Sequence, residues 1–162
     1  MQLRPLFPLL GPGLRHRQGT VALALSAVAL LGAAPPAATA EVTVTARNLR
    51  NTHGLVRACL TAEATDFPRC DPAQSFESSA PAAGTVTLRF RDVPPGRYAI
   101  ALLHDENANG KADRAALMIP REGFGFSRDA PVRFGPPKFG EAAFDIAPGE
   151  RARLVVRMRY ML

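Results

Sequence analysis

The sequence is poor in the residues that build metal and redox centres. It contains two cysteines and three histidines among 162 residues. The histidines that follow residue 40, His53 and His104, lie far apart in sequence and do not define a zinc or copper site. The spacing of Cys59 and Cys70 is much wider than that of a C-x-x-C redox motif, and no histidine lies between them. No G-x-S-x-G motif occurs, so the typical serine nucleophile of hydrolases is also missing.

The sequence has no hydrophobic run of the ~20 residues that a membrane-spanning helix needs. The apolar run between Val21 and Ala34 is shorter and is interrupted. Arginines precede it and Ala38-Thr39-Ala40 follows it, which is the order of a secretory signal peptide cleaved after Ala40. We therefore predict a signal peptide over residues 1–40 and a single domain over 41–162. The expected location is periplasmic or secreted, with no transmembrane segment in the mature chain.

The predicted mature chain carries little net charge. Residues 1–40 contain three of the 20 basic residues and none of the 14 acidic ones, so 17 basic and 14 acidic residues remain and the formal charge is +3. A nucleic-acid partner would call for a clustered basic face with stacking aromatics. That class of partner is set aside, and the expected partner is an envelope or extracellular protein or a glycan.

The two cysteines are predicted to form a disulfide. An exported chain enters an oxidising compartment, where a pair of thiols usually becomes a bridge. A bridge between Cys59 and Cys70 would stabilise the fold by roughly 3 kcal/mol in the loop-entropy model. The alternative, a redox or metal-binding pair, is less favoured because of the spacing.

The mature chain shows the period of two that is typical of half-buried strands. Val42, Val44 and Ala46 alternate with polar residues, and the Asn51–Gly54 turn leads to a second strand over 55–61, which predicts a first hairpin. Residues 62–83 are predicted to be a surface loop. Further strands are expected over 85–91, 97–103, 115–119, 142–146 and 151–160. About seven short strands without an amphipathic helix predict an all-β fold, a single antiparallel sandwich of transthyretin or immunoglobulin type. The strand over 97–103 is apolar on both faces, which predicts a central strand.

A calcium-type loop leaves the end of this central strand. Numbered from Asp105, its oxygen ligands are Asp105, Asn107, Asn109 and Asp113, with a carbonyl from Lys111 and the sharp turn at Gly110. The twelfth position is Ala116 instead of a bidentate Glu, so Glu122, Glu106 or Asp129 would have to complete a weak site. The alternative is a turn capped by its own Asx side chains. Ca²⁺ is the one cofactor indicated.

Aromatic residues and His104 are the other candidate features. Phe124, Phe126, Phe134 and Phe139 lie among glycines and prolines and form either an exposed binding surface or, more commonly, a cover over a sheet edge. Alternation sends His104 and Asp105 to opposite faces of a strand, which argues against a catalytic pair and favours a hydrogen-bonded histidine at the sheet rim. The arginines at 153, 157 and 159 are expected on a solvated face that could also touch anionic envelope components.

Two groups of motifs resemble known families. Val93-Pro94-Pro95-Gly96-Arg97-Tyr98-Ala99-Ile100 is similar to the strand entry of transthyretin-like and carboxypeptidase-regulatory-like sandwiches. The combination of residues 104–113, 119–127, 137–139 and 142–144 resembles the bacterial exported-protein family known as domain of unknown function 2141, over nearly all of residues 42–160. The resemblance implies one exported sandwich domain and no established reaction.

We favour a non-catalytic exported binding or interaction module of unknown ligand and assign no catalytic residues. Two alternatives remain. One is a structural envelope protein without metal, and the other is a small hydrolase that uses the carboxylates near His104.

Overall fold

The computed structural model describes residues 37–115 and 119–162. The predicted signal peptide lies outside these residues except for 37–40, of which Ala40 already begins the first strand. The described residues form β1 (Ala40–Arg47), β2 (Leu55–Thr61), β3 (Ser75–Pro81), β4 (Thr85–Val93), β5 (Gly96–Asp105), β6 (Gly123–Phe126), a helical turn α1 (Phe139–Ala142), β7 (Phe144–Ile146) and β8 (Arg151–Arg157). Within this part of the chain, no helix has the length and hydropathy required to cross a membrane.

The strands form two sheets, which confirms the predicted all-β sandwich. The first sheet has the order β4-β1-β8, in which β1 is antiparallel to β4 and parallel to β8. The second has the order β3-β2-β5-β6, and all of its pairings are antiparallel. The short β7 pairs with residues 96–98, at the beginning of β5. Over residues 101–104, β5 is an inner strand with β2 on one edge and β6 on the other.

Apolar residues at alternate positions fill the space between the sheets, as the period of two predicts. Fully burying one aliphatic side chain contributes about 1.5–3 kcal/mol, so these alternating sets dominate the stability of the fold. The buried set of the first sheet includes Val42, Val44, Ala46, Val86, Leu88, Phe90 and Val156, and that of the second includes Val56, Ala58, Leu60, Ile100 and Leu102.

The strand β6 closes one side of the sandwich because it alternates glycine with phenylalanine. Gly123 and Gly125 face the interior, where a Cβ at Gly123 would overlap the Tyr160 ring and one at Gly125 would lie 2.7 Å from Val156 Cγ1. The missing side chains let β6 approach the chain that follows β8. There Phe124 exchanges two backbone hydrogen bonds with residue 159, at 3.0 and 2.8 Å, so β6 links the two sheets.

Several local predictions were wrong. The strands β1 and β2 do not form a hairpin, since they lie in different sheets and the turn between them crosses from one to the other. Residues 75–81, predicted as loop, form the edge strand β3, whose serine-rich sequence carries little hydrophobic signal. Residues 123–126 were not predicted as a strand because glycine is rare in strand interiors. The strand expected over 115–119 falls partly on residues 116–118, outside the described residues.

A second apolar cluster lies on the outer face of the second sheet. Ala99 is fully buried there, and Phe126 is 6% exposed. The ring of Phe67, from the connection between β2 and β3, packs 5.7 Å from that of Phe126 and 6.0 Å from that of Phe139. This cluster covers the outer face of β5 at Ala99, whereas Ala101 and Leu103 on the same face are half-buried. The prediction of a central strand is confirmed, and its cover on the outer face is partial.

The predicted disulfide is present. Cys59 on β2 is bonded to Cys70, and their Cα atoms lie 6.2 Å apart. Because Cys59 faces outward, the bond ties the connection over residues 62–74 to the outer face of the second sheet. The disulfide therefore holds one of the segments that cover this face.

Candidate functional site

Asp105 joins the end of β5 to both β2 and the following loop. Its side chain is fully buried, and its Oδ2 accepts a hydrogen bond from Arg57 Nε at 2.8 Å. The same oxygen accepts the backbone N–H of Gly110 at 2.9 Å, and Oδ1 accepts that of Asn109 at 3.0 Å. The carboxylate thus closes the loop on itself and pairs it with the neighbouring strand.

These contacts lower the pKa of Asp105. Burial by itself would raise that pKa, but the hydrogen bonds from Arg57, Gly110 and Asn109 favour the ionised form and outweigh burial. The side chain is therefore a carboxylate at neutral pH, and the loop is built around a fixed negative charge.

The rest of the loop is capped by its own amide side chains. Asn107 and Asn109 donate from their Nδ2 atoms to Asp113 Oδ2, at 2.8 and 3.0 Å. The backbone N–H of Lys111 donates to Asn109 Oδ1 at 2.8 Å. Gly110 has φ of 77°, which favours glycine. The predicted Asx-capped turn is present in this geometry.

Glu122 fastens the two ends of the loop. Only 5% exposed, its carboxylate accepts the backbone N–H of Glu106 at 3.1 Å and that of Asp113 at 3.0 Å. Burial raises the pKa of Glu122, and the negative charges of Asp105 and Asp113 raise it further, while the two N–H donors offset part of the rise. Glu122 was the distal residue expected to reach the loop, and it does so through backbone donors.

The predicted calcium ligands lie together, but both carboxylate oxygens of Asp105, the amide oxygens of Asn107 and Asn109, and Asp113 Oδ2 accept hydrogen bonds from the protein. A cation at Asp105 would have to displace the Arg57 guanidinium from Oδ2. Among residues 37–115 and 119–162, no group of three or more acidic, histidine or cysteine side chains has the geometry of a metal site. Asp129 lies elsewhere and accepts the backbone N–H of Arg157 at 2.9 Å. The twelfth position, Ala116, lies outside the described residues.

Glu106 extends this polar cluster away from the loop. Its Oε2 accepts from Asn51 Nδ2 at 2.7 Å, and its Oε1 pairs with Arg50 at 2.7 Å. Burial opposes ionisation of Glu106, but the hydrogen bonds from Asn51 and Arg50 outweigh it and lower the pKa. Glu106 thus holds the chain between β1 and β2 against the end of β5.

His104 faces the sandwich interior, opposite to Asp105. Its ring is fully buried, with Nε2 2.9 Å from the His53 carbonyl oxygen and Nδ1 2.8 Å from the Tyr160 hydroxyl. Because a carbonyl can only accept, Nε2 carries a proton. His104 is thus the hydrogen-bonded histidine expected at the sheet rim, and it does not form a pair with Asp105.

A groove of about 910 Å³ lies on the outer face of the second sheet, beside the loop. Its floor is apolar and includes Ala101, Leu103, Phe124 and Phe126. Three parts of the chain border it, namely the disulfide-bonded connection, residues 110–114 together with 119–122, and residues 132–136. The volume lies in the range of about 300–1,000 Å³ that is typical of small-molecule sites.

The predicted aromatic surface is divided between this groove and the solvent. Phe124 and Phe126 lie on the groove floor, Phe139 packs against Phe67, and Phe134 is fully exposed at the groove border. Four arginines also line the groove, Arg57, Arg69, Arg114 and Arg133. Sequence reasoning did not single out any of them.

Arg57 had a usable signal in the sequence. It is the one charged residue of β2, at an outward position between Leu55 and Cys59. A charge in an otherwise apolar strand calls for a partner on the same face, and Asp105 is that partner. Arg69, Arg114 and Arg133 carry no comparable signal in the sequence, because each lies in an irregular segment of the chain.

Comparison with other proteins identifies the family. Neither the curated proteins nor the solved structures contain a match to the chain. A family model described as an uncharacterized protein conserved in bacteria, DUF2141, matches residues 44–153. The match includes the loop, Glu122 and most of the groove, and it confirms the resemblance in the motifs of residues 104–127. The chain belongs to the DUF2141 family.

Proposed function

We propose that the protein is an exported, non-catalytic binding module whose ligand site is the groove on the outer face of the second sheet. The observation that carries the proposal is the groove itself, a concave surface of about 910 Å³ with an apolar floor and arginines around it. Concave apolar surfaces with a few polar groups are the usual form of small-ligand sites.

The way in which the groove is built supports this proposal. A disulfide, a buried ion pair and a buried glutamate hold the surrounding segments in place, through Cys59, Arg57 and Glu122. Binding sites placed on loops need such rigid support. The signal-like sequence of residues 1–40 and the disulfide both support export, since disulfides persist in oxidising compartments.

Titration with the uncharged dye Nile red tests the groove. We expect saturable dye fluorescence with the wild-type protein and an affinity at least about fivefold weaker in Leu103→Gln, because a polar group would lie on the apolar floor. Val155→Gln is the matched control, since Val155 is 53% exposed on the outer face of the other sheet. Absence of saturable binding to the wild type, or equal loss in both variants, would contradict the proposal.

We also propose that Ca²⁺ binds weakly to the 105–113 loop. The observation that favours this second function is that Glu122, which the sequence offered as the distal ligand, lies against both ends of the loop and accepts the backbone N–H groups of Glu106 and Asp113. Ca²⁺ accepts mixed carboxylate, amide and carbonyl oxygens at flexible geometry. Coordination would require the loop to exchange N–H donors for the ion.

Thermal unfolding in excess calcium or in chelator tests this second function. At about 100 times the Kd, bound calcium would stabilise the fold by about 2.7 kcal/mol and raise the Tm. We expect Asp113→Asn to abolish the difference and Asp145→Asn, at an exposed site on β7 beside the beginning of β5, to preserve it. An identical wild-type Tm in both conditions would leave the loop as a structural turn.

A further inference from the structure

We propose that the groove binds a small amphipathic anion, with one carboxylate head group and an apolar body. This inference rests on the groove being the ligand site, and it adds the chemical class of the ligand. The groove places an apolar floor beside arginines whose charge is only partly neutralised by the protein.

Arg57 is the best candidate for the head group. Its side chain is 41% exposed, and its Nε is held by Asp105. Among the described residues, no acceptor hydrogen-bonds to its two terminal nitrogens, although the residue lines the groove. The ion pair fixes one edge of the guanidinium and leaves donors for a carboxylate, which is the partner that this group binds best.

The charge balance of the groove also favours an anion. In the described part of the chain, Arg69, Arg114 and Arg133 take part in no ion pair. These three arginines are exposed. Of the three acidic residues that line the groove, Glu122 is buried and Asp113 is half-buried, so Glu77 is the one exposed carboxylate. The accessible charge is therefore mainly positive.

The apolar floor of the groove determines the apolar body of the ligand. Leu103 and Phe124 lie side by side, since they are partners in the register of β5 and β6, and Phe126 follows on the same face. Each methylene group buried there would strengthen binding about fourfold. A volume of about 910 Å³ admits a drug-sized molecule and is too small for a folded protein domain.

Displacement of Nile red by three probes tests the class of ligand. Dodecanoate has an anionic head group and an apolar chain, dodecyltrimethylammonium has a cationic head group on a similar chain, and acetate has the carboxylate without the chain. The two amphiphiles are used below their micellar concentrations. We expect dodecanoate to bind at least about tenfold more tightly than dodecyltrimethylammonium and acetate not to displace the dye. The preference for dodecanoate over dodecyltrimethylammonium should decrease as salt is added, because the charges of Arg69, Arg114 and Arg133 are exposed.

Variants locate the head group. Relative to the Nile red affinity of the same variant, Arg57→Gln should weaken dodecanoate binding roughly tenfold, and Arg133→Gln about threefold. Arg133 is exposed, so this second variant tests the proposal even if Arg57→Gln impairs folding. Arg153→Gln, on the outer face of the first sheet, removes the same charge away from the groove and should leave dodecanoate binding unchanged.

The results distinguish failure of the anion inference from failure of the proposed groove site. Equal affinity for the anionic and cationic probes, with dye still bound in the groove, would overturn the anion inference and leave the binding module intact. Equal weakening by Arg133→Gln and Arg153→Gln would show a non-specific charge effect and would also overturn the inference. If neither the dye nor dodecanoate binds, both proposals fail together.

Discussion

The outer faces of the two sheets begin from similar strand patterns and end in different environments. On the first sheet, Arg89 and Arg153 are exposed, and so is more than half of Val155. On the second sheet, Ala99 is fully buried and Phe126 nearly so. The first face is therefore solvated, whereas the second holds an apolar cluster, a disulfide and a groove.

The difference comes from the connections. The long connections over residues 62–74, 106–122 and 127–143 all join strands of the second sheet, and described residues of each border or cover its outer face. The connections that reach the first sheet are short, as at residues 82–84 and 94–95. Site-forming residues often lie in loops held by a rigid scaffold, and here one sheet carries nearly all of that loop material. The proposed binding site therefore lies on the outer face of the second sheet, which these connections border.

The largest expected effect is the loss of packing on the covered face. Phe126→Ala should lower the free energy of unfolding by about 3–5 kcal/mol, because it opens a cavity in the outer cluster. Val155→Ala, on the solvated face, should change it by about 0.5 kcal/mol or less. Urea denaturation of both variants measures the difference, and similar losses would show that the two faces are not distinct.

A smaller effect is expected from the ion pair between the buried Asp105 and the partly exposed Arg57. Asp105→Asn should cost about 2 kcal/mol, because it leaves Arg57 and a loop N–H without their charged acceptor. Glu41→Gln removes a carboxylate from the first face, where it has no ion-pair partner among the described residues, and should cost about 0.5 kcal/mol or less. If urea denaturation shows the same loss in free energy of unfolding for both variants, Asp105 stabilises the fold no more than an ordinary surface charge.

The smallest expected effect is on the pH dependence of stability. The pKa of Asp105 is lower in the folded state than in the unfolded state, so its stabilisation is present above the unfolded pKa of about 3.9. That stabilisation is lost as the pH falls through the lowered folded value. Asp105→Asn should therefore flatten the loss of stability in acid, and Glu41→Gln should not. Unfolding curves between pH 6 and 2.5 measure the slopes, and parallel slopes for wild type and Asp105→Asn would refute the assignment.

Alternation in the sequence predicted the strands with a strong hydrophobic signal and missed the others. The strands β1, β2, β4, β5 and β8 each carry a regular apolar pattern and were predicted with nearly correct bounds, and the strand expected over 142–146 contains β7, so the strands missed are β3 and β6. The pattern of β3 is weak because it lies at an edge, and that of β6 is hidden by glycines whose role depends on β8. The hairpin between β1 and β2 was predicted wrongly because β1 pairs instead with β8, which lies at the other end of the domain sequence.

The candidate site was predicted in part, for a similar reason. The Asx spacing of the 105–113 loop and the recruitment of Glu122 follow from local chemistry and one short return of the chain. The ion pair with Arg57 depends on the register between β2 and β5, which no local motif encodes. The groove depends on three separate connections meeting over one face, and it has no counterpart in any single segment.

By itself, the sequence determined the two-layer β architecture, the disulfide partners and a tight, self-capped turn after β5, because each depends on periodicity or on residues close in sequence. Tertiary structure alone decided which sheet each strand joined, which outer face was covered, and that Arg57 would meet Asp105 beside an apolar groove. Those features arise from contacts between residues far apart in the chain, whose geometry is fixed only when the sheets pack together.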